Sequence, residues 1–141
     1  MSFLNRRHSI APMPFNRWLV PPAALAVHLS IGQIYAYSVF NAPLTKLIGI
    51  THSTPEDWTL ATVGWVFSIA LAVLGASAAL FGTWMERVGP RKAMFVAACC
   101  FGAGFLVAAF GVHAHNIWLV YLGNGVIGGV GLGLGYIGPV S

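Results

Sequence analysis

Few residues in this chain could do chemistry, and their spacing limits what that chemistry can be. Glu86 and Arg87 are followed by Gly89, Pro90, Arg91 and Lys92, so four of the ten charged residues fall within seven positions. One carboxylate beside three cations can form and break ion pairs. It cannot share acid–base work with a second carboxylate, because the other acids, Glu56 and Asp57, lie far away in sequence. His113 and His115 are two apart, a poor metal pair on a helix, with no acidic or thiol neighbour. They read as solvated turn residues. Cys99 and Cys100 are adjacent in an apolar run and point about 100° apart on a helix, which suits neither a disulfide nor a metal site. There is no nucleophile–base constellation and no phosphate loop. Gly131-x-Gly133-x-Gly135 lacks the strand context of a dinucleotide fingerprint. No enzyme, metal or cofactor is expected.

The remaining chemistry is polarity inside apolar segments. His28, Ser30, Gln33, Tyr35, Tyr37 and Asn41 all fall within the first of them. Polar groups in a bilayer core are costly and usually face a protein interior or a wet cavity. At 100° per residue, His28, Gly32, Tyr35 and Val39 share one face, and Ser30, Gln33, Tyr37 and Asn41 fall opposite. A helix polar on both sides belongs in the centre of a bundle. Each polar residue reads either as an interhelical hydrogen-bonding group or as a cavity wall. For His28 the alternatives are a structural hydrogen bond and a proton relay. Between 123 and 138 half the positions are glycine, and Gly125, Gly129 and Gly133 repeat every fourth residue. That stripe predicts close approach of another helix.

The elements that position these residues follow from composition. Of 141 residues, 57% are hydrophobic and 7% are charged. Soluble domains carry roughly 25% charged residues, so the chain is expected to be an all-α integral membrane protein. Its basic residues stand at the ends of apolar segments, not on one face, which excludes a nucleic-acid partner and makes the lipid bilayer the partner instead. After a polar arm over 1–17, membrane helices are predicted at about 18–42, 55–83, 90–112 and 117–141. Pro21 and Pro22 fit the first turn of the first helix. Thr54-Pro55-Glu56-Asp57 resembles a capping box at the start of the second. Pro90 opens the third, and Asn116 caps the fourth. The uncharged run from Trp58 to Met85 would span about 42 Å, more than a hydrocarbon core of roughly 30 Å. Arg6, Arg7 and Arg17 precede the first helix, and Arg87, Arg91 and Lys92 lie between the second and third. Only Lys46 lies on the other side. This bias puts the N-terminus and the 82–92 hairpin in the cytoplasm.

The hairpin pattern Gly82-x-x-x-Glu86-Arg87-x-Gly89-Pro90-Arg91-Lys92 resembles the loop between helices 2 and 3 of the major facilitator superfamily. Gly82, Arg87, Gly89 and Arg91 match position by position. Glu86 stands where Asp is usual, and Pro90 where Arg is usual. The resemblance implies the first four helices of a twelve-helix fold, and a gating role for Gly82, Glu86, Arg87, Gly89 and Arg91. The string from Gly32 to Pro43 is similar to helix 1 of the oxalate/formate antiporter family within that superfamily. The tyrosine matching Tyr35 lines the cavity there, and Tyr136 resembles the cavity tyrosine of helix 4. In that family Gln directly precedes the tyrosine, whereas here Ile34 does and Gln33 stands one place earlier. The resemblance implies alternating-access transport, by antiport, of small mono- or dicarboxylates, with a substrate cavity formed by Tyr35, Gln33, Tyr136 and His28. The chain is then expected to be a fragment in a bacterial inner (plasma) membrane, partnered by a missing C-terminal half that supplies the cations for an anion. The alternative is a complete four-helix membrane protein, either a multidrug exporter or a structural subunit. The acids all sit at predicted helix ends, which argues against drug–proton exchange.

Overall fold

The computed structural model describes residues 14–137, apart from the side chain of Gln33. Arg6 and Arg7 lie outside the described residues. The described residues form an all-α structure. Arg17–Leu19 is a 3-10 turn capped by the Asn16 side chain, which accepts from the Trp18 amide. It leads into α1 (Val20–Ile31), α2 (Ser38–Thr45), α3 (Leu60–Val88) and α4 (Pro90–His113). A last span, Ile117–Ile137, is built from α5 (Ile117–Val120), a π-helical stretch (Tyr121–Ile127) and α6 (Gly128–Ile137). Three of these helices, α3, α4 and the last span, are long and apolar enough to cross a membrane.

The first apolar segment is not the single helix expected over 18–42. It breaks after Ile31 into a 3-10 turn, Gly32–Ile34, and resumes at Ser38. The causes are local. Ser30 Oγ donates to the Ala26 carbonyl at 2.9 Å and His28 Nδ1 to the Ala24 carbonyl at 2.9 Å, so side chains compete for helix acceptors. Gly32 then offers little helix propensity. The chain tightens through Tyr35 N to Gly32 O and Tyr37 N to Ile34 O.

The second helix starts at Leu60, not at Pro55. The expected cap Thr54 instead closes a turn: its amide and hydroxyl donate to the Asp57 carboxylate at 3.1 and 2.7 Å. The working cap is Thr59, whose Oγ1 accepts from the Thr62 amide. The same helix continues to Val88 rather than ending near 83, so most of the expected 82–92 loop is helical. Only Gly89 separates α3 from α4. It has φ 92° and ψ 154°, a backbone region nearly confined to glycine, and its amide closes α3 on the Met85 carbonyl at 2.8 Å. Pro90 then starts α4, where its missing N–H costs nothing.

The last span lies between α3 and α4 and largely separates them. Lipid tails are as apolar as leucine, so close backbone contact must hold such helices together. A Cβ on Gly131 would come 2.6 Å from the Phe101 amide of α4, and one on Gly129 3.0 Å from the Ala70 carbonyl of α3. The expected stripe at 125, 129 and 133 thus faces α3, and a second one at 123 and 131 faces α4. Buried side chains form two small clusters. Tyr37, Val63, Val66 and Val120 make one, and Ile34, Ala70 and Leu132 the other.

Candidate substrate cavity and gating loop

The residues singled out for a cavity separate into two places. His28 on α1 meets Tyr136 on α6 edge-on, with ring centroids 5.7 Å apart. The Ala24 carbonyl can only accept, so His28 Nδ1 is the donor. Tyr136 is 45% exposed, so the pair stands at an open face. Tyr35 is not part of it. The 3-10 turn carries Tyr35 round to a 68% exposed position, where it lines a cavity of about 270 Å3 with Ser38, Asn41 and Phe67. Gln33 lies in the turn itself, and its side chain is outside the described residues. A further cavity of about 320 Å3 opens between α1, α4 and α6, lined by Ser30, Ile31, Met94, Ala97, Phe101 and others, nearly all of them apolar.

The break also overturns the expected faces. On an unbroken helix Tyr35 would share its face with His28. Here Tyr35 points outward, whereas Tyr37 is 5% exposed in the core of α3 and the last span. Tyr37 was legible only as one polar residue among several, since its burial depends on where the helix breaks.

At the opposite end of α3, Glu86, Arg87, Arg91 and Lys92 are all exposed. Gly82 is half-buried inside α3, and Gly89 is the buried pivot between the helices. The four charges therefore project from two rigid helix ends joined by one residue. Such a cluster can swap ion-pair partners without rearranging a loop. No Lys or Arg occupies the middle of a described helix. Arg87 ends α3, and Arg91 and Lys92 start α4.

The other end is held by contacts that sequence reading missed. The sequence alone places His115 in a solvated turn. Its ring stacks on Trp58 at 4.3 Å and 11°, and its Nε2 donates to the Glu56 carbonyl at 2.9 Å. The Trp58 amide donates to the Thr45 carbonyl at 2.8 Å, tying α2 to the same point. Tyr121 Oη donates to the Thr62 carbonyl at 2.7 Å. Asp57 is held below the usual carboxylate range, first by its hydrogen bonds from Thr54 and further by the charges of Lys46 and His115.

Known proteins resemble this chain along most of its length. An MFS-type transporter of Escherichia coli (strain K12), YhjX, is 26% identical over 126 residues, covering 89% of this chain and 29% of its own. Human monocarboxylate transporter 1 is 32% identical over 109 residues, 77% of this chain and 20% of its own. The riboflavin transporter MCH5 of Saccharomyces cerevisiae (strain ATCC 204508 / S288c) is 32% identical over 120 residues, 85% and 22% respectively. The chain thus spans less than a third of the length of these relatives. No solved structure matches it significantly. The model of the Major Facilitator Superfamily matches residues 13–140, and with four apolar segments, a glycine pivot and charges gathered at helix ends, the chain belongs to that superfamily of membrane transporters.

Proposed function

We propose that this chain is the N-terminal part of a twelve-helix secondary transporter that moves small organic anions, mono- or dicarboxylates, by alternating access as an antiporter. One observation carries the reading: relatives named monocarboxylate transporters match about three quarters of the chain at 32–33% identity. The similarity of the 32–43 string to oxalate/formate antiporters supports the same substrate class. In this reading His28 and Tyr136 form one wall of the cavity, Tyr35 and Gln33 a second, and both tyrosines offer hydroxyl donors to a carboxylate. The described helices place no cation mid-span, so the positive partner comes from the rest of the carrier. Glu86, Arg87 and Arg91 act at the cytoplasmic gate, pivoting on Gly89 with Gly82 one helical turn before Glu86. The N-terminus is cytoplasmic, in a bacterial inner membrane. A self-contained four-helix exporter or structural subunit is not favoured, because the match is to a superfamily of larger carriers.

The test is uptake of labelled mono- and dicarboxylates into vesicles holding the full-length gene product. Saturable uptake is expected, and Tyr136→Phe should raise KM about three- to tenfold through loss of one hydrogen bond. The yeast relative favours a second reading, riboflavin transport. Flavin uptake with no carboxylate uptake would replace the first reading by the second.

A further inference from the structure

Tyr37 is the one tyrosine among the described residues that is almost wholly buried, 5% exposed, and its hydroxyl has no hydrogen-bond partner. Buried hydroxyls are normally satisfied, and leaving one bare carries its full desolvation cost. Tyr37 forms a wall of two cavities. One, of about 220 Å3, is lined by Tyr37, Phe40, Phe105, Ala108, Val120 and Asn124. The other, of about 270 Å3, contains Asn41, whose Oδ1 is likewise buried and without a partner. Asn124 is a polar neighbour of the Tyr37 hydroxyl, at a geometry that falls short of a hydrogen bond. It sits mid-way along the π-helical stretch Tyr121–Ile127, an irregularity often found at functional sites.

The donor and acceptor set defines the occupant. A tyrosine hydroxyl and an asparagine amide each donate and accept, and the Asn41 oxygen accepts. No charged residue lines either cavity. An ionised carboxylate placed there would be an uncompensated buried charge, which costs far more than a neutral hydrogen-bonding group. Each cavity is smaller than a drug-sized site of roughly 300–1,000 Å3. We infer that Tyr37 and Asn124, with Asn41 behind them, form a site for the uncharged head of a small amphiphilic molecule, namely an undissociated short-chain carboxylic acid. The head hydrogen-bonds to Tyr37 Oη and the Asn124 amide, and the short tail lies against Phe40, Phe105 and Ala108. The choice of an acid among neutral heads rests on the carboxylate reading above. The neutrality of the site does not.

Butyramide separates the two, because it matches butyric acid in shape and stays uncharged at every pH. Its binding to the purified full-length carrier in lipid nanodiscs would be measured by ligand-observed saturation-transfer NMR. Butyramide should bind equally at pH 5 and pH 8, and butyric acid should compete at pH 5 but not at pH 8. Tyr37→Phe, which removes one oxygen and no packing, should weaken butyramide about three- to tenfold, and Asn124→Ala by a similar factor. Butyramide binding that both substitutions leave unchanged, no binding at all, or equal competition by butyrate at pH 8 would each overturn the site. Expected butyramide binding without any carboxylate uptake would defeat the transport reading alone.

Discussion

Residues 20–45 and residues 117–137 are both apolar stretches interrupted by glycine and polar side chains, yet one is broken and open while the other is continuous and enclosed. Neither α1 nor α2 contains a buried residue. Half of the last span's apolar window is buried, against 22% for each of α3 and α4. The glycines account for part of the contrast. Gly32 has nothing within 4 Å of where a Cβ would stand, whereas Gly123 and Gly131 would each meet backbone at 2.6 Å or less. Glycine lowers helix propensity wherever it occurs. Where a neighbour uses the missing side chain for close approach, packing returns more than propensity loses, and the helix survives with only a π-helical widening. Where no neighbour does, the glycine only weakens the helix. α3 and α4 run unbroken through Gly64, Gly75, Gly82 and Gly102, which also meet nothing within 4 Å. The break at Gly32 therefore needs the competing side-chain bonds of His28 and Ser30 as well.

The sharpest way to break this comparison is one substitution that adds a Cβ on each side of it. Gly131→Val should be the most damaging, because its Cβ would meet the Phe101 amide at 2.6 Å and backbone cannot move aside cheaply. Overpacking of this kind costs about 1–3 kcal/mol or more. Gly32→Ala should be neutral or stabilise by up to about 1 kcal/mol, since it meets nothing and favours helix. Folded, monodisperse yield and resistance to SDS unfolding of the full-length product would report both. Equal losses from the two would mean that the glycines of the last span do not carry its packing.

How much of this was legible depends on how local each feature is. The membrane class follows from composition alone. Asn116 is visible as a cap from one residue and its spacing, and its Oδ1 does accept from the Trp118 amide at 3.1 Å. Thr54 and Thr59 show where local rules run out. Each has a polar residue three places on, and the capping rule favours Thr54 because Asp57 follows it. The Asp57 carboxylate closes on Thr54 itself, and the helix begins from Thr59. The break at 32–37 and the burial of Tyr37 are not legible in the sequence because they depend on which neighbours α1 finds. The stacking of His115 on Trp58 joins residues far apart in sequence, and no spacing rule reaches that distance. Of the candidate site, the resemblance groups His28 and Tyr136 with Tyr35 and Gln33, and only the fold shows which two rings meet.

A smaller effect sharpens the comparison at one attachment of the open segment. α2 is tied to Trp58, and Trp58 to His115. His115 has φ 48°, a left-handed conformation that asparagine tolerates well. His115→Asn therefore removes the ring while leaving the turn unstrained. A lost stacking pair is worth about 0.5–1.5 kcal/mol. Amide exchange over 46–58 should quicken about three- to tenfold, with α3 beyond its first turn unchanged. Exchange rising equally along α3 would show that the stack stabilises the whole bundle and not the attachment.

The smallest effect belongs to Asp57, in the turn that leads from the open segment into α3. Its carboxylate accepts from the Thr54 amide and hydroxyl, and these bonds hold its pKa below the ordinary value. A lowered native pKa means that the unfolded turn takes up a proton first as pH falls. The contribution of Asp57 is therefore fully present above its ordinary pKa and fades as pH drops through the lowered one. The group is exposed to solvent, so the change should stay local. Exchange at the Thr54 amide, corrected for its intrinsic pH dependence, should lose protection only at strongly acid pH. In Asp57→Asn that acid step should disappear, because the amide has no proton to gain. If the step persisted in the variant, another group would control the turn.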